Sequence, residues 1–145
     1  PLNTPNLLDY AQLTENHSML NTPPTFAIYV ANLVFEWLKN LGGVKAIDKI
    51  NAQKAEKLYR TIDESGGFYI NKVEKSCRSR MNVPFLLKDE RLNDAFLKES
   101  LNADCLGLKG HQSVGGFRAS LYNAVSFESV SVLCEFMQDF AKRKA

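Results

Sequence analysis

Apolar residues recur along this chain at two different periods, and the switches between them divide it into elements. Phe26, Tyr29, Val30, Leu33, Val34, Trp37 and Leu38 follow one another at helical spacing, a stripe along one face of a long amphipathic helix. Thr22, ahead of Pro23 and Pro24, is the expected N-cap with prolines in the first turn, and Gly42–Gly43 the expected stop. A second helix places Ile47, Ile50, Ala55, Leu58 and Ile62 on one side, opposite many Lys, Asp and Glu, and ends at Gly66–Gly67. Period two then takes over. Residues 68–71 and 81–87 read as strands, the second with Val83, Phe85 and Leu87 in alternation. Pro84 within that run points to an edge strand or a bulge. Residues 90–103 form a weaker helical pattern through Leu92, Phe96 and Leu101, and 105–108 and 117–122 read as strands around a Gly-rich turn. A last helix starts at Ser126 as N-cap and lines up Val130, Leu133, Met137 and Phe140. Residues 1–25, rich in Pro, Asn and Thr, are expected to be irregular, with a short strand near 7–10.

This order predicts an α/β fold in which helices cover a small mixed sheet of about four strands. The first long helix reads as a connector entering that sandwich. A boundary near 41–43 separates residues 1–41 from a domain at 42–145.

Composition narrows the class. The 145 residues, 45% hydrophobic and 23% charged, have the balance of a soluble globular domain, long enough to bury about two thirds of the unfolded surface. A net charge of +2 is too small to argue for nucleic acid or a membrane surface. Lys142, Arg143 and Lys144 suit the dipole of a last helical turn. Arg78 and Arg80, flanking Ser79 before a strand, read as solvated, and His17 reads as exposed or structural. Cys77, Cys105 and Cys134 form neither a Cys-x-x-Cys pair nor a Cys/His zinc pattern, so free thiols in a reducing compartment are expected. Neither a signal peptide nor a run of about 20 apolar residues is present, which favours a cytoplasmic protein. The chain begins at Pro1 without Met, as a fragment or processed product would.

The chemistry concentrates in residues 110–120, Gly-His-Gln-Ser-Val-Gly-Gly-Phe-Arg-Ala-Ser. An imidazole, an amide, a hydroxyl and a guanidinium surround three glycines, whose backbone N–H groups a turn exposes. His111 and Arg118 are natural donors to a phosphate or carboxylate. Asn21 and Thr22, before the long helix, add donors at a helix start, where anions are favoured, although two prolines remove two N–H groups. Residue types alone leave open whether each of these binds a ligand or is structural. Lys109 is a weak candidate for covalent chemistry, and the chain shows neither a nucleophile–base pair nor a P-loop.

Three separated segments carry a resemblance. Asn21-Thr22-Pro23-Pro24-Thr25-Phe26, then Arg78-Ser79-Arg80-Met81-Asn82-Val83-Pro84-Phe85, then Leu108-Lys109-Gly110-His111 with Val114-Gly115-Gly116-Phe117-Arg118-Ala119-Ser120-Leu121-Tyr122-Asn123-Ala124 resemble the phosphoserine aminotransferase family. They match its C-terminal part in order and approximate spacing. The resemblance implies a fold-type I enzyme dependent on pyridoxal 5'-phosphate, with residues 1–41 as the tail of the large cofactor-binding domain and 42–145 as the small C-terminal domain. It implies a homodimer that exchanges an amino group between glutamate and 3-phosphohydroxypyruvate, giving phosphoserine and 2-oxoglutarate in serine biosynthesis.

Asn21 and Thr22 then match a pair reaching the cofactor phosphate of the neighbouring subunit. His111 matches a contact to the substrate phosphate, and Arg118 the holder of the substrate α-carboxylate. The Schiff-base lysine lies upstream in that family, so no catalytic residue is assigned here, the fragment alone is expected to be inactive, and Lys109 loses its case. Gln112 departs from the pattern, standing where the family usually has Arg, which implies weaker recognition of the substrate phosphate at that position. Two other readings stay open: the C-terminal domain of another fold-type I enzyme, and a non-catalytic anion-binding α/β module. Away from a large domain, the stripe Phe26 to Leu38 is expected to expose an apolar patch that favours self-association.

Overall fold

Asp9 starts the first helix: its carboxylate accepts the Ala11 N–H at 3.0 Å, and α1 runs over Tyr10–Glu15. A 3₁₀ turn at Asn6–Leu8 precedes it, so the strand expected near 7–10 is replaced by helical turns. The Asp9 cap satisfies locally a donor that an isolated strand would leave to a neighbour. The structure, a computed structural model, describes residues 4–144. The chain separates into two compact units, Pro1–Gly43 and Val44–Ala145.

In the first unit, α2 covers Thr25–Asn40 with Pro24, not Thr22, at the N-cap position. Each residue before a proline is pushed to extended backbone, so Thr22 and Pro23 stay outside the helix. The Thr25 N–H then donates to the Pro23 carbonyl at 2.7 Å and helical bonding begins with Ile28 to Pro24 at 3.1 Å. Gly42, at φ 98°, ends the helix in the left-handed region. No residue of α2 is buried, and the apolar stripe is open, from Phe26 at 79% exposure to Trp37 at 40%.

The second unit is a one-sided α/β layer pair. α3 spans Gly43–Asp63, α4 Asn93–Asn102 and α5 Phe127–Lys144; β1 is Tyr69–Ile70, β2 Asn82–Leu87 and β3 Phe117–Ser120. The strands lie in the order β1-β2-β3, both pairs antiparallel, with Tyr69 opposite Leu87 and Phe117 opposite Phe85. The strand expected at 105–108 reduces to a short arm bridged at Lys109 to Phe117. Asp104 and Gly107, both at positive φ, turn the chain just before it and leave too few extended residues for a ladder. That arm also pairs antiparallel, with β3, so every strand pairing among the described residues is antiparallel where a mixed sheet was expected.

Burial alternates cleanly along β2 and β3, so Val83, Phe85, Leu87, Phe117 and Ala119 face the helices while Pro84, Leu86, Arg118 and Ser120 occupy the other face. Pro84 lies on the central strand, contrary to the edge or bulge expected of it. β1 stops at Ile70, and the Asn71 side-chain amide donates to the Pro84 carbonyl instead, so the missing N–H deprives no ladder partner.

The core is aromatic. Phe96 of α4, fully buried, stacks edge-on or tilted against Tyr69, Phe117, Phe136 and Phe140. Val130, Leu133, Met137 and Phe140 of α5 are buried as their spacing predicts, with Ser126 Oγ accepting the Ser129 N–H at 3.0 Å as cap. Ile50 and Leu101 are exposed instead, and Asn51 and Lys54 take buried positions on α3. All three cysteines are free thiols, Cys77 exposed and Cys134 buried.

Candidate functional site

The arm 108–110 and β3 make a hairpin whose turn is residues 111–115. The Gly110 N–H donates to the Gly116 carbonyl at 2.8 Å and the Arg118 N–H to the Leu108 carbonyl at 2.8 Å. Within the turn, the Val114 and Gly115 N–H groups both reach the His111 carbonyl, at 2.9 and 2.8 Å. Gly115 and Gly116 turn at φ 73° and 62°, which L side chains rarely adopt.

His111 is exposed at the start of this turn, and its ring is oriented by Ser113. The Ser113 N–H donates to Nδ1 at 3.2 Å, and the Ser113 hydroxyl lies 2.7 Å from the same nitrogen. A nitrogen that accepts a backbone N–H carries no proton, so in the neutral ring the proton sits on Nε2, leaving an outward donor. Gln112 is exposed beside it, its amide without a hydrogen bond among the described residues.

Arg118 lies on the sheet face away from the core, opposite Pro84. Arg78, Arg80, Arg91 and Arg143 each pair with a carboxylate, on Asp63, Asp48, Asp89 and Glu99 respectively. Exposed Arg60 and half-buried Arg118 make no such pair among the described residues, and Arg118 Nε, like that of Arg78, is buried without an acceptor. Buried donors are nearly always satisfied. Among the described residues no carboxylate meets the Arg118 guanidinium, which leaves it able to take an acceptor from outside them. Two residues, Gly116 and Phe117, separate Arg118 from Gly115, whose N–H bonds the His111 carbonyl, so both side chains belong to one hairpin.

The remaining candidates fall elsewhere. Asn21 and Thr22 belong to the first unit, exposed in the segment between α1 and α2, and their side chains have no hydrogen-bond partner among the described residues. A free amide and hydroxyl next to a helix start fit a phosphate group. Lys109 is exposed. Arg78 is not the solvated cation expected. It is fixed by two 2.7 Å bonds to Asp63 and lies over the Tyr59 ring at 4.5 Å. His17 is exposed, in the left-handed region at φ 50°. Among the described residues no cluster of His, Cys, Asp or Glu could hold a metal ion, and no helix is long and apolar enough to cross a membrane.

Two supporting roles escaped the residue pattern. Ser113 orients His111, a local contact that an i, i+2 Ser next to a turn histidine signals. Lys54 and Asn51 hold the segment after β3; both sit in phase with the apolar stripe of α3, and a Lys at such a position is the available signal.

The hairpin presents an exposed histidine and an exposed amide near an arginine without an ion pair among the described residues, on a one-sided α/β layer. The sequence profile described as aminotransferase class-V matches residues 2–133, and the chain belongs to that family. Phosphoserine aminotransferase of Hahella chejuensis is 58% identical over 141 residues, 97% of this chain and 39% of the relative. The structure of phosphoserine aminotransferase from Bacillus circulans subsp. alkalophilus superposes with a TM-score of 0.93 at 43% identity, over 100% of this chain and 40% of that one. The PLP-bound enzyme of that name from Trichomonas vaginalis superposes with a TM-score of 0.85 at 42% identity, over 95% of this chain and 39% of that one. The chain thus spans 39–40% of the length of the relatives it matches.

Proposed function

We propose that this chain is the C-terminal portion of a pyridoxal-phosphate-dependent phosphoserine aminotransferase of the cytoplasm. It would serve a homodimer that moves an amino group between glutamate and 3-phosphohydroxypyruvate, yielding 2-oxoglutarate and phosphoserine. The amino group and two electrons pass from one small acid to the other, so no further oxidant is needed. When bound, the cofactor supplies the carbonyl that takes up the amino group and a ring that withdraws electrons from the substrate carbon.

The residues of this chain bind and orient. Arg118, whose half-buried guanidinium meets no carboxylate among the described residues, receives the α-carboxylate of either substrate as a bidentate partner. His111, through Nε2, and Gln112 donate to the substrate phosphate. Asn21 and Thr22 donate to the phosphate of the cofactor held by the neighbouring subunit. Residues 1–41 act as the tail of the large domain and 42–145 as the small domain. The family resemblance assigns the lysine of the covalent step to none of the residues of this 145-residue chain, which alone should be inactive.

Free Arg118 is the observation that carries this reading, and its replacement tests it. In the full-length enzyme, Arg118→Lys keeps the charge but loses the fork, and KM for both glutamate and the phosphorylated oxo acid should rise about 10- to 100-fold. His111→Ala should raise KM for the phosphorylated acid alone. Unchanged KM for glutamate in Arg118→Lys would remove the carboxylate role.

A further inference from the structure

Lys54 is the one charged side chain among the described residues that is fully buried, at 0% exposure, and it faces no carboxylate. Its ammonium instead reaches three main-chain carbonyls: Val125 at 2.8 Å, Tyr122 at 2.9 Å and Leu121 at 3.4 Å. An ammonium has three N–H donors and no acceptor, which matches three carbonyls converging on one point. One helical turn earlier, buried Asn51 donates through Nδ2 to Asn123 Oδ1 at 2.8 Å. Two neighbouring polar groups of α3 therefore hold the segment 121–125, which begins one residue after β3.

We propose that Lys54, assisted by Asn51, is a positioning residue for Arg118, fixing the downstream end of the strand that carries it. The proposal rests on the reading that Arg118 receives the substrate carboxylate. β3 has four residues, its register to β2 ends at Ser120, and Leu121 adds one bond, N–H to the Met81 carbonyl at 2.6 Å. Beyond that point the chain leaves the sheet, and its carbonyls have no ladder to join. The Tyr122 carbonyl already accepts the Val125 N–H at 2.9 Å, closing a turn, and Lys54 secures that turn to α3.

Burying a cation without a counter-ion is costly, and a leucine or methionine would fill the space more cheaply. Neither would donate to three carbonyls. Buried polar contacts with directional partners select one geometry. Asn51 Oδ1 stays buried without a partner among the described residues, but the Lys54 ammonium is satisfied by three carbonyls, and the segment so fixed begins three residues after Arg118. A guanidinium with no acceptor among the described residues depends on its backbone for its aim, and small errors in aim cost heavily in substrate orientation.

The test is a double-mutant cycle in the full-length enzyme, with kcat and KM for glutamate measured for Lys54→Met, Arg118→Lys and the pair. Lys54→Met should raise KM about tenfold while kcat changes less than about threefold. In the Arg118→Lys background it should add nothing, because residues that act through one another are not additive. An unchanged KM, a fall confined to kcat, or an equal KM increase in both backgrounds would overturn the proposal while leaving the carboxylate role of Arg118 intact. If Arg118→Lys itself leaves KM unchanged, the reading of Arg118 fails, and this proposal with it. Should Lys54→Met not fold, Asn123→Ala removes the adjoining bond from the loop side. A KM increase of about threefold then supports the proposal, and none overturns it.

Discussion

Gly110 and Gly115 approach each other so closely across the hairpin that a Cβ on Gly110 would lie 2.2 Å from the Gly115 carbonyl oxygen and 2.7 Å from that of Gly116. The obstacle is backbone on both counts, which has no rotamer to swing aside. Gly110→Ala should therefore open the 111–115 turn and destabilise the domain by about 1–3 kcal/mol. Gly107 provides the control: it has φ +72°, but nothing lies within 4 Å of an added Cβ. Gly107→Ala should show only backbone strain, about 1 kcal/mol. Urea unfolding of the two variants separates these effects. Equal losses would mean that the hairpin tolerates a wider turn.

Asp63 is held well below the usual carboxylate range, chiefly by the hydrogen bonds that Arg78 donates to it. A carboxylate with a lowered folded-state value stabilises the fold above its unfolded value, near 3.9. That contribution is lost as pH falls through the lowered folded-state value. Asp63→Asn should thus be less stable than the parent at pH 7, with the gap closing as pH drops below about 4. Asp63 is partly open to solvent, so the difference should be small and weaken with salt. Thermal melts between pH 7 and 2.5 measure it. A gap that stays constant down to pH 2.5 would count against the pair as its source.

Phe96 should be the costliest single position of the core. It is fully buried and its ring meets Tyr69, Phe85, Phe117, Phe136 and Phe140. Phe96→Ala should cost about 3–5 kcal/mol, because rings packed edge-on around a deleted ring cannot collapse into the space. Leu101 was expected on the same helical face but is 56% exposed, and Leu101→Ala should fall within about 0.5 kcal/mol of the parent. Denaturant midpoints that rank the two in the opposite order would refute this account of the core.

The contrast between Phe96 and Leu101 shows what the residue pattern could and could not reveal. α5 was fully legible, since its four apolar positions keep strict helical spacing and all are buried. On α3 the true inward stripe runs through Ile47, Asn51, Lys54, Ala55, Leu58 and Ile62, and its two polar members hid its phase, so Ile50 was assigned inward and is 38% exposed. Pro84 misled for a related reason: proline reads as an edge signal, whereas its tolerance depends on where a different strand happens to stop. In the site, the outward direction of Arg118 followed from alternation along β3. Its lack of an ion pair did not, because pairing is decided by residues distant in sequence. Arg78 makes the same point in reverse, an apparently solvated cation that finds Asp63 across fifteen residues.

Gln112 is the position at which this chain should respond most informatively to change. It lies exposed in the turn beside His111, its amide uncommitted among the described residues, so a longer cation can replace it without disturbing a contact. An amide donates to a phosphate as a neutral group, whereas a guanidinium adds charge and a fork. A hydrogen bond to a charged group contributes about 1.5–3 kcal/mol, and the charged donor should add a fraction of that, about a three- to tenfold fall in KM. Gln112→Arg in the full-length enzyme should therefore lower KM for 3-phosphohydroxypyruvate and leave KM for glutamate, which carries no phosphate, as it was. Raising the salt concentration should erode the gain, since the turn is open to solvent. Equal changes for the phosphorylated and the unphosphorylated substrate would show that residue 112 acts on the hairpin as a whole and not on the phosphate.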